Sequence, residues 1–406
     1  MPSFVTHLEA AIDGTRLAHD QLQTTHQGRP LWVRYDLDAV AAAVTPADVA
    51  ARPPTLWRYR ELLPVERDDN VVTLGEGMSP LLPCPRLGAA LGLERLWIKD
   101  ESQLPTGSFK SRGLCMAVSR AKELGARRLA IPTAGNAGGA LAAYAARAGL
   151  ASFVFMPADT PVVNRIEAAL YGAKVFLIDG LITDCGQVVQ RGTEPMGWFD
   201  VSTLKEPYRI EGKKTMGLEL AEQLGWRLPD AIFYPTGGGT GLIGMWKAFA
   251  ELGHLGWIDA QRPRMFACQS DGCAPIVRAF EAGARFAEPF PDPHTAASGL
   301  RVPKAVGDFM ILDAVRESGG RALAAPEASL LDWTRRACAL EGVALCPEAA
   351  ACVAALADAV ASGEITAEAE VVVFNTGAAQ KYVEALDVPL PRLGKDDDID
   401  WASLAD

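Results

Sequence analysis

The sequence predicts an α/β protein of two open parallel-sheet domains with helices on both faces. From residue 93 onward, short apolar runs alternate with helix-type patterns, the rhythm of a parallel sheet with crossover helices. That rhythm pauses in a stretch rich in Gly, Pro and Trp leading to Gly212, and then resumes. The chain also has 406 residues at 49% hydrophobic composition, which favours two moderate cores over one.

Residues 1–70 show no sustained period and read as a packed N-terminal arm, with Pro53-Pro54, Trp57 and Tyr59 among them. The first alternation places strands at 93–99, 128–132, 152–156 and 174–178. Helices are expected at 110–124, 137–148, 162–171 and 183–191. A long helix at 213–224 leads into the second alternation, with strands at 231–234, 265–269 and 370–375. Helices follow at 242–252, 275–282, 306–318, 327–341 and 349–362. The chain thus divides into a larger domain from 71–114 and 216–390, a smaller one from 115–215, and an acidic tail from 391–406, where Lys395-Asp396-Asp397-Asp398 reads as a solvated terminus.

A formal charge of −11 and a pI near 5.1 argue against nucleic-acid and anionic-membrane partners, which call for basic surfaces. The first 21 residues mix charge among short apolar pairs, unlike a signal peptide, and no run is long enough to span a bilayer. A cytoplasmic location is expected. The eight cysteines form no Cys-x-x-Cys pair and read as reduced, buried thiols, while the five scattered histidines offer neither a metal site nor a triad.

Four stretches carry chemistry. Lys110 opens the helix that follows the loop Pro105-Thr106-Gly107-Ser108-Phe109. The helix dipole disfavours an ammonium there, so the amine loses its proton more readily, as attack on a carbonyl requires. A surface lysine beside a helix start is the plainer reading. Pro235-Thr236-Gly237-Gly238-Gly239-Thr240-Gly241 follows a strand and precedes a helix, and its backbone N–H groups suit a phosphate. Gly239 to Gly244 also fits the dinucleotide pattern G-x-G-x-x-G, which keeps an NAD-binding oxidoreductase as a competitor. The acid that pattern wants after the next strand is replaced by Gln269-Ser270. Thr133-Ala134-Gly135-Asn136-Ala137 is a second strand-to-helix turn, suited to a carboxylate, and Asn136 could meet a phenolic oxygen or simply shape the turn. Asn375-Thr376-Gly377 ends a buried strand at a carboxyl edge, where Thr376 could meet a ring nitrogen without forcing its protonation, or cap a helix.

Together these four stretches resemble the pyridoxal-phosphate enzymes of the tryptophan synthase β-subunit class (fold type II), and within it the threonine synthase family most closely. The resemblance runs from about Gly75 to Tyr382 and includes Pro207-Tyr208-Arg209-Ile210-Glu211-Gly212 and Ser298-Gly299-Leu300-Arg301. It implies that Lys110 carries pyridoxal 5'-phosphate covalently, with Phe109, Asn136, Gly237, Gly238, Gly239, Thr240, Gly241 and Thr376 binding the cofactor. It places Ser108, Thr133, Gly135, Ala137 and Arg209 around a small amino-acid substrate, Arg209 at the substrate phosphate. The implied reaction is O-phospho-L-homoserine plus water to L-threonine plus phosphate, in a homodimer. A related enzyme performing elimination or replacement on another β- or γ-substituted amino acid, such as a threonine or serine ammonia-lyase, is the alternative. This chain departs from the family pattern at Ser111, Ala137, Thr203, Leu204 and Glu206, and the last three positions bear on phosphate recognition.

Overall fold

A computed structural model describes residues 3–386, 390, 392–395 and 401. Asp396, Asp397 and Asp398 of the expected acidic terminus lie outside the described residues.

The N-terminal residues do form regular structure. Strands β1 (Val5–Ala10), β2 (Arg16–Leu17) and β3 (Leu31–Tyr35) make an antiparallel sheet in the order β2-β1-β3, followed by helices α1 (Leu37–Ala43) and α2 (Pro46–Ala50). These elements are too short to display a period, so the packed arm carries regular structure that its sequence pattern does not reveal. The segment is clamped to the rest by side chains. Tyr35 donates to Glu211 at 2.7 Å, Tyr59 donates to Glu222 at 2.5 Å, and Arg58 pairs with Glu222 at 3.0 Å.

Next come β4 (Leu81–Pro83), α3 (Pro85–Leu91), β5 (Arg95–Asp100) and α4 (Lys110–Glu123). A first set of crossovers then runs β6 (Arg128–Pro132), α5 (Asn136–Ala148), β7 (Ala151–Pro157), α6 (Val162–Leu170), β8 (Lys174–Ile178), α7 (Ile182–Met196) and β9 (Phe199–Asp200). These strands form a four-stranded parallel sheet in the order β8-β7-β6-β9. Helix α8 (Tyr208–Gln223) begins five residues before its expected start, because Tyr208 to Gly212 are helical and fully packed. The chain continues through β10 (Ala231–Pro235), α9 (Thr240–His254), β11 (Arg264–Ser270), α10 (Pro275–Glu281), α11 (Asp308–Glu317), β12 (Arg321–Ala325), α12 (Leu330–Glu341), α13 (Pro347–Ala361) and β13 (Glu370–Asn375). Strand β12, absent from the expected elements, joins the larger sheet, whose order is β12-β11-β10-β13-β5-β4. All its neighbours are parallel except β4 with β5.

Apolar residues from α8, α9 and α11 cover one face of the larger sheet, and those from α3 and α13 cover the other. Behind α4 lies a fully buried ionic cluster. Arg112 donates to Glu101 at 2.6 and 2.8 Å and to Glu219 at 2.7 Å, and Lys99 pairs with Glu219 at 3.1 Å. Because each charge has an opposite partner, the cluster survives desolvation, and it fixes α4 against α8 and β5.

Candidate active site

The segments that follow β5, β6, β10 and β13 line one cavity of about 380 Å³ at the carboxyl edge, where open α/β sheets bind ligands. Lys110, Phe109, Thr133, Gly135, Asn136, Ala137, Gly237, Gly238, Gly239, Thr240, Gly241 and Thr376 all line it. Backbone contacts join two of the loops: Phe109 N donates to Thr376 O at 3.0 Å, and Ser108 bridges Gly377. Ser108 itself is buried, with an unpartnered Oγ, and does not reach the lining.

Lys110 is the first residue of α4, half-buried, with its amine 4.4 Å from the centroid of the Phe109 ring. Its pKa is pushed down to about 7, first by burial and then by the Arg209 guanidinium, with Glu348 opposing. Burial and the neighbouring guanidinium thus act in the same direction as the helix end that the sequence pointed to.

The glycine loop leaves its backbone open. No side chain caps α9, and Gly239, at its N-cap, has φ +75°. A Cβ on Gly237 would lie 2.2 Å from Gly299 O, and one on Gly241 would lie 1.9 Å from the Tyr234 hydroxyl, so only glycine fits. Asn136 does not cap α5; its Nδ2 donates to the Tyr382 hydroxyl at 2.9 Å, leaving Oδ1 buried and unpartnered. Nor does Thr376 cap a helix. It is buried, and its Oγ1 lies 3.8 Å from Cys346 Sγ.

Arg209 stands outside the lining. It is buried, donates from Nη1 to Val201 O at 2.8 Å, and keeps Nε and Nη2 unpartnered. Glu206 turns onto the start of α8, accepting from Tyr208 N at 2.7 Å and Arg209 N at 3.1 Å. Burial raises its pKa to about 7 against the pull of Arg209. Thr203 lines the cavity, whereas Leu204 is buried in the core at φ +62°.

Several lining residues have no role assigned on the sequence: Glu348, Lys205 and Lys304, together with Arg301 and Tyr382, which the resemblance covers without assigning them to the site. Glu348 follows Pro347 in the first turn of α13, an ordinary helix opening with nothing local to mark it. Gln269, where a dinucleotide site wants an acid, is spent on structure: it donates to Thr236 O at 2.9 Å and accepts from Ile276 N at 2.9 Å.

A neutral-capable amine, an uncapped glycine cradle and the orphaned Asn136 Oδ1 fit a phosphorylated carbonyl cofactor with a polar ring edge. Residues 72–377 match the family described as pyridoxal-phosphate dependent enzyme, and the chain belongs to that family. It is an enzyme that uses pyridoxal phosphate, and the NAD reading is set aside. The chain is 37% identical over 325 residues to the threonine synthase of Methanosarcina acetivorans, covering 80% of this chain and 79% of that one. It is 33% identical over 365 residues to the threonine synthase of Methanocaldococcus jannaschii, covering 90% of both. Among solved structures, threonine deaminase isoform 2 from Solanum lycopersicum matches 91% of this chain and 98% of its own, with a TM-score of 0.66 at 18% identity. Maize serine racemase matches 74% of this chain and 89% of its own, with a TM-score of 0.63 at 22% identity. At those identities the two structures establish a shared fold, that of fold-type-II pyridoxal-phosphate enzymes.

Proposed function

We propose that this enzyme converts O-phospho-L-homoserine and water into L-threonine and phosphate. The observation that carries the proposal is the likeness to the M. jannaschii threonine synthase across nine-tenths of both chains. When bound, the cofactor supplies an electron sink for the substrate's carbons. The residues then divide the work. Lys110, whose burial lowers its pKa to about 7, takes and returns protons at the substrate carbons. Gly237, Gly238, Gly239, Thr240 and Gly241 hold the cofactor phosphate on the start of α9. Phe109 borders the ring, Asn136 serves the phenolic oxygen and Thr376 the ring nitrogen. Thr133, Gly135 and Ala137 receive the α-carboxylate, and Ser108 is assigned to the substrate through the resemblance alone.

For the substrate phosphate, the unpartnered nitrogens of Arg209 support that residue, and the lining cations Lys205, Arg301 and Lys304 supplement it. The cleft lies between the smaller domain, 115–215, and the larger one. The enzyme works in the cytoplasm and, as the resemblance implies, as a homodimer. A second reading, elimination from threonine or serine to a keto acid, is favoured by Leu204, a buried apolar residue where the resembled family carries a polar donor for the phosphate. Assays of threonine and phosphate from O-phospho-L-homoserine, set beside deamination of threonine and serine, separate the two. Keto-acid release without threonine formation would favour the second.

A further inference from the structure

Directly behind the Thr133-to-Ala137 turn stands Asn164, in the first turn of α6 and fully buried. Both ends of its amide, Nδ2 and Oδ1, are buried without a partner. The amide lies against the backbone of Gly135, where an added Cβ would stand 3.2 Å from Nδ2 and 3.9 Å from Oδ1. Gly135 itself lines the cavity. Its N–H is nevertheless spent locally: Gly135 N donates to Thr133 Oγ1 at 3.1 Å, and Thr133 Oγ1 donates back to Gly135 O at 3.2 Å. Two of the groups assigned above to the α-carboxylate are thus engaged with each other.

An amide offers two donors and an acceptor oxygen, and leaving all of them unused in the interior is costly unless another state of the molecule uses them. Asn164 is not the part that moves. Helix α6 is pinned to the segment after β13, where Val162 N donates to Glu384 at 2.9 Å and Lys381 pairs with Glu167 at 2.6 Å. Gly135 is the freer part. At φ +153° and ψ −118° it holds a conformation that only glycine adopts readily, and without a Cβ the peptide before it turns against little steric resistance. Such a turn takes Gly135 N off Thr133 and swings the Ala134 carbonyl towards Asn164 Nδ2. Helix α5, which starts at the next residue without a side-chain cap, favours an anion arriving there.

We propose that Asn164 is a positioning residue for the substrate's α-carboxylate: its amide receives the Ala134 carbonyl when the Ala134–Gly135 peptide turns to present Gly135 N and Thr133 Oγ1 to the carboxylate. This rests on the carboxylate placement proposed above.

The test titrates holoenzyme with L-threonine and with 1-amino-2-propanol, the same molecule without its carboxylate, following the cofactor's visible band, which also reports that each variant folds and loads. In Asn164→Leu and Asn164→Ala the dissociation constant of L-threonine should rise more than about tenfold, while that of 1-amino-2-propanol stays within about twofold of the wild type. The apoprotein of Asn164→Leu should melt at or above the wild-type temperature, because the substitution removes a buried amide without partners. Equal weakening of both ligands with a lowered melting temperature marks a role confined to folding and overturns the proposal. Thr133→Val separates the proposal from the placement. If Thr133→Val loses the preference for L-threonine while both Asn164 variants keep it, the role of Asn164 alone falls; if all three keep it, the carboxylate placement falls and the proposal with it.

Discussion

At the scale of single residues, the site depends on putting ionisable groups where water cannot reach them. Lys110 is the chief case. Its folded pKa, about 7, lies below the ordinary lysine value of 10.5, so between those limits the unfolded chain binds more protons than the folded one. Stability contributed through Lys110 therefore rises as pH climbs from about 7 to 10.5. Lys110→Met should stabilise the apoprotein at pH 7, on the order of a few kcal/mol, by ending the burial of a cation. A urea melt that shows no gain would contradict this. Glu206 runs the other way: its folded pKa, about 7, exceeds the ordinary 4.5, so its contribution falls as pH rises through that interval. Glu206→Gln should therefore stabilise more at pH 8 than at pH 5, and paired thermal melts at the two pH values check the difference. The sequence made Lys110 legible because its loop and helix start are local. The partners that set its pKa, Arg209 and Glu348, lie far along the chain and leave no local sign.

At the scale of elements, strand-to-helix turns shape the cavity, and these were readable because each is marked by glycine at the end of an apolar run. The steric contacts explain why. Gly237→Ala should lower cofactor affinity more than about tenfold, since a Cβ 2.2 Å from Gly299 O must push the loop away. Titration of the apoprotein with pyridoxal phosphate measures it, and unchanged affinity would show that the loop does not hold the phosphate. Strand β12 and the N-terminal sheet were not readable. Ala322, Ala324 and Ala325 carry no strand preference of their own, and β12 exists because β11 offers it an edge. The early start of α8 has a similar origin, since Tyr208 to Gly212 follow a proline in a segment whose pattern resembles a loop.

At the scale of the whole molecule, the cluster of Lys99, Glu101, Arg112 and Glu219 sits directly behind the helix that carries Lys110. It ties β5, α4 and α8 into one support, and periodicity hides it because each member looks like a surface residue in its own segment. Arg112→Met should cost roughly 3–5 kcal/mol, the penalty for leaving buried carboxylates unpaired. Chemical denaturation reads that loss, and a change under about 1 kcal/mol would mean that water compensates. The two parallel sheets and the cavity at their carboxyl edges followed from the alternating pattern. The assembly of the cavity wall from Ser298–Arg301 did not, because a proline-rich connection gives no direction to its side chains.

The central claim concerns which bonds the enzyme breaks and forms. Incubating the holoenzyme with O-phospho-L-homoserine in H₂¹⁸O and analysing the products by mass spectrometry tests it most directly. The account predicts L-threonine with one ¹⁸O and an equal amount of unlabelled phosphate, because water adds to carbon and the phosphate leaves with its own oxygens. Homoserine with labelled phosphate, or a keto acid without threonine, would contradict it.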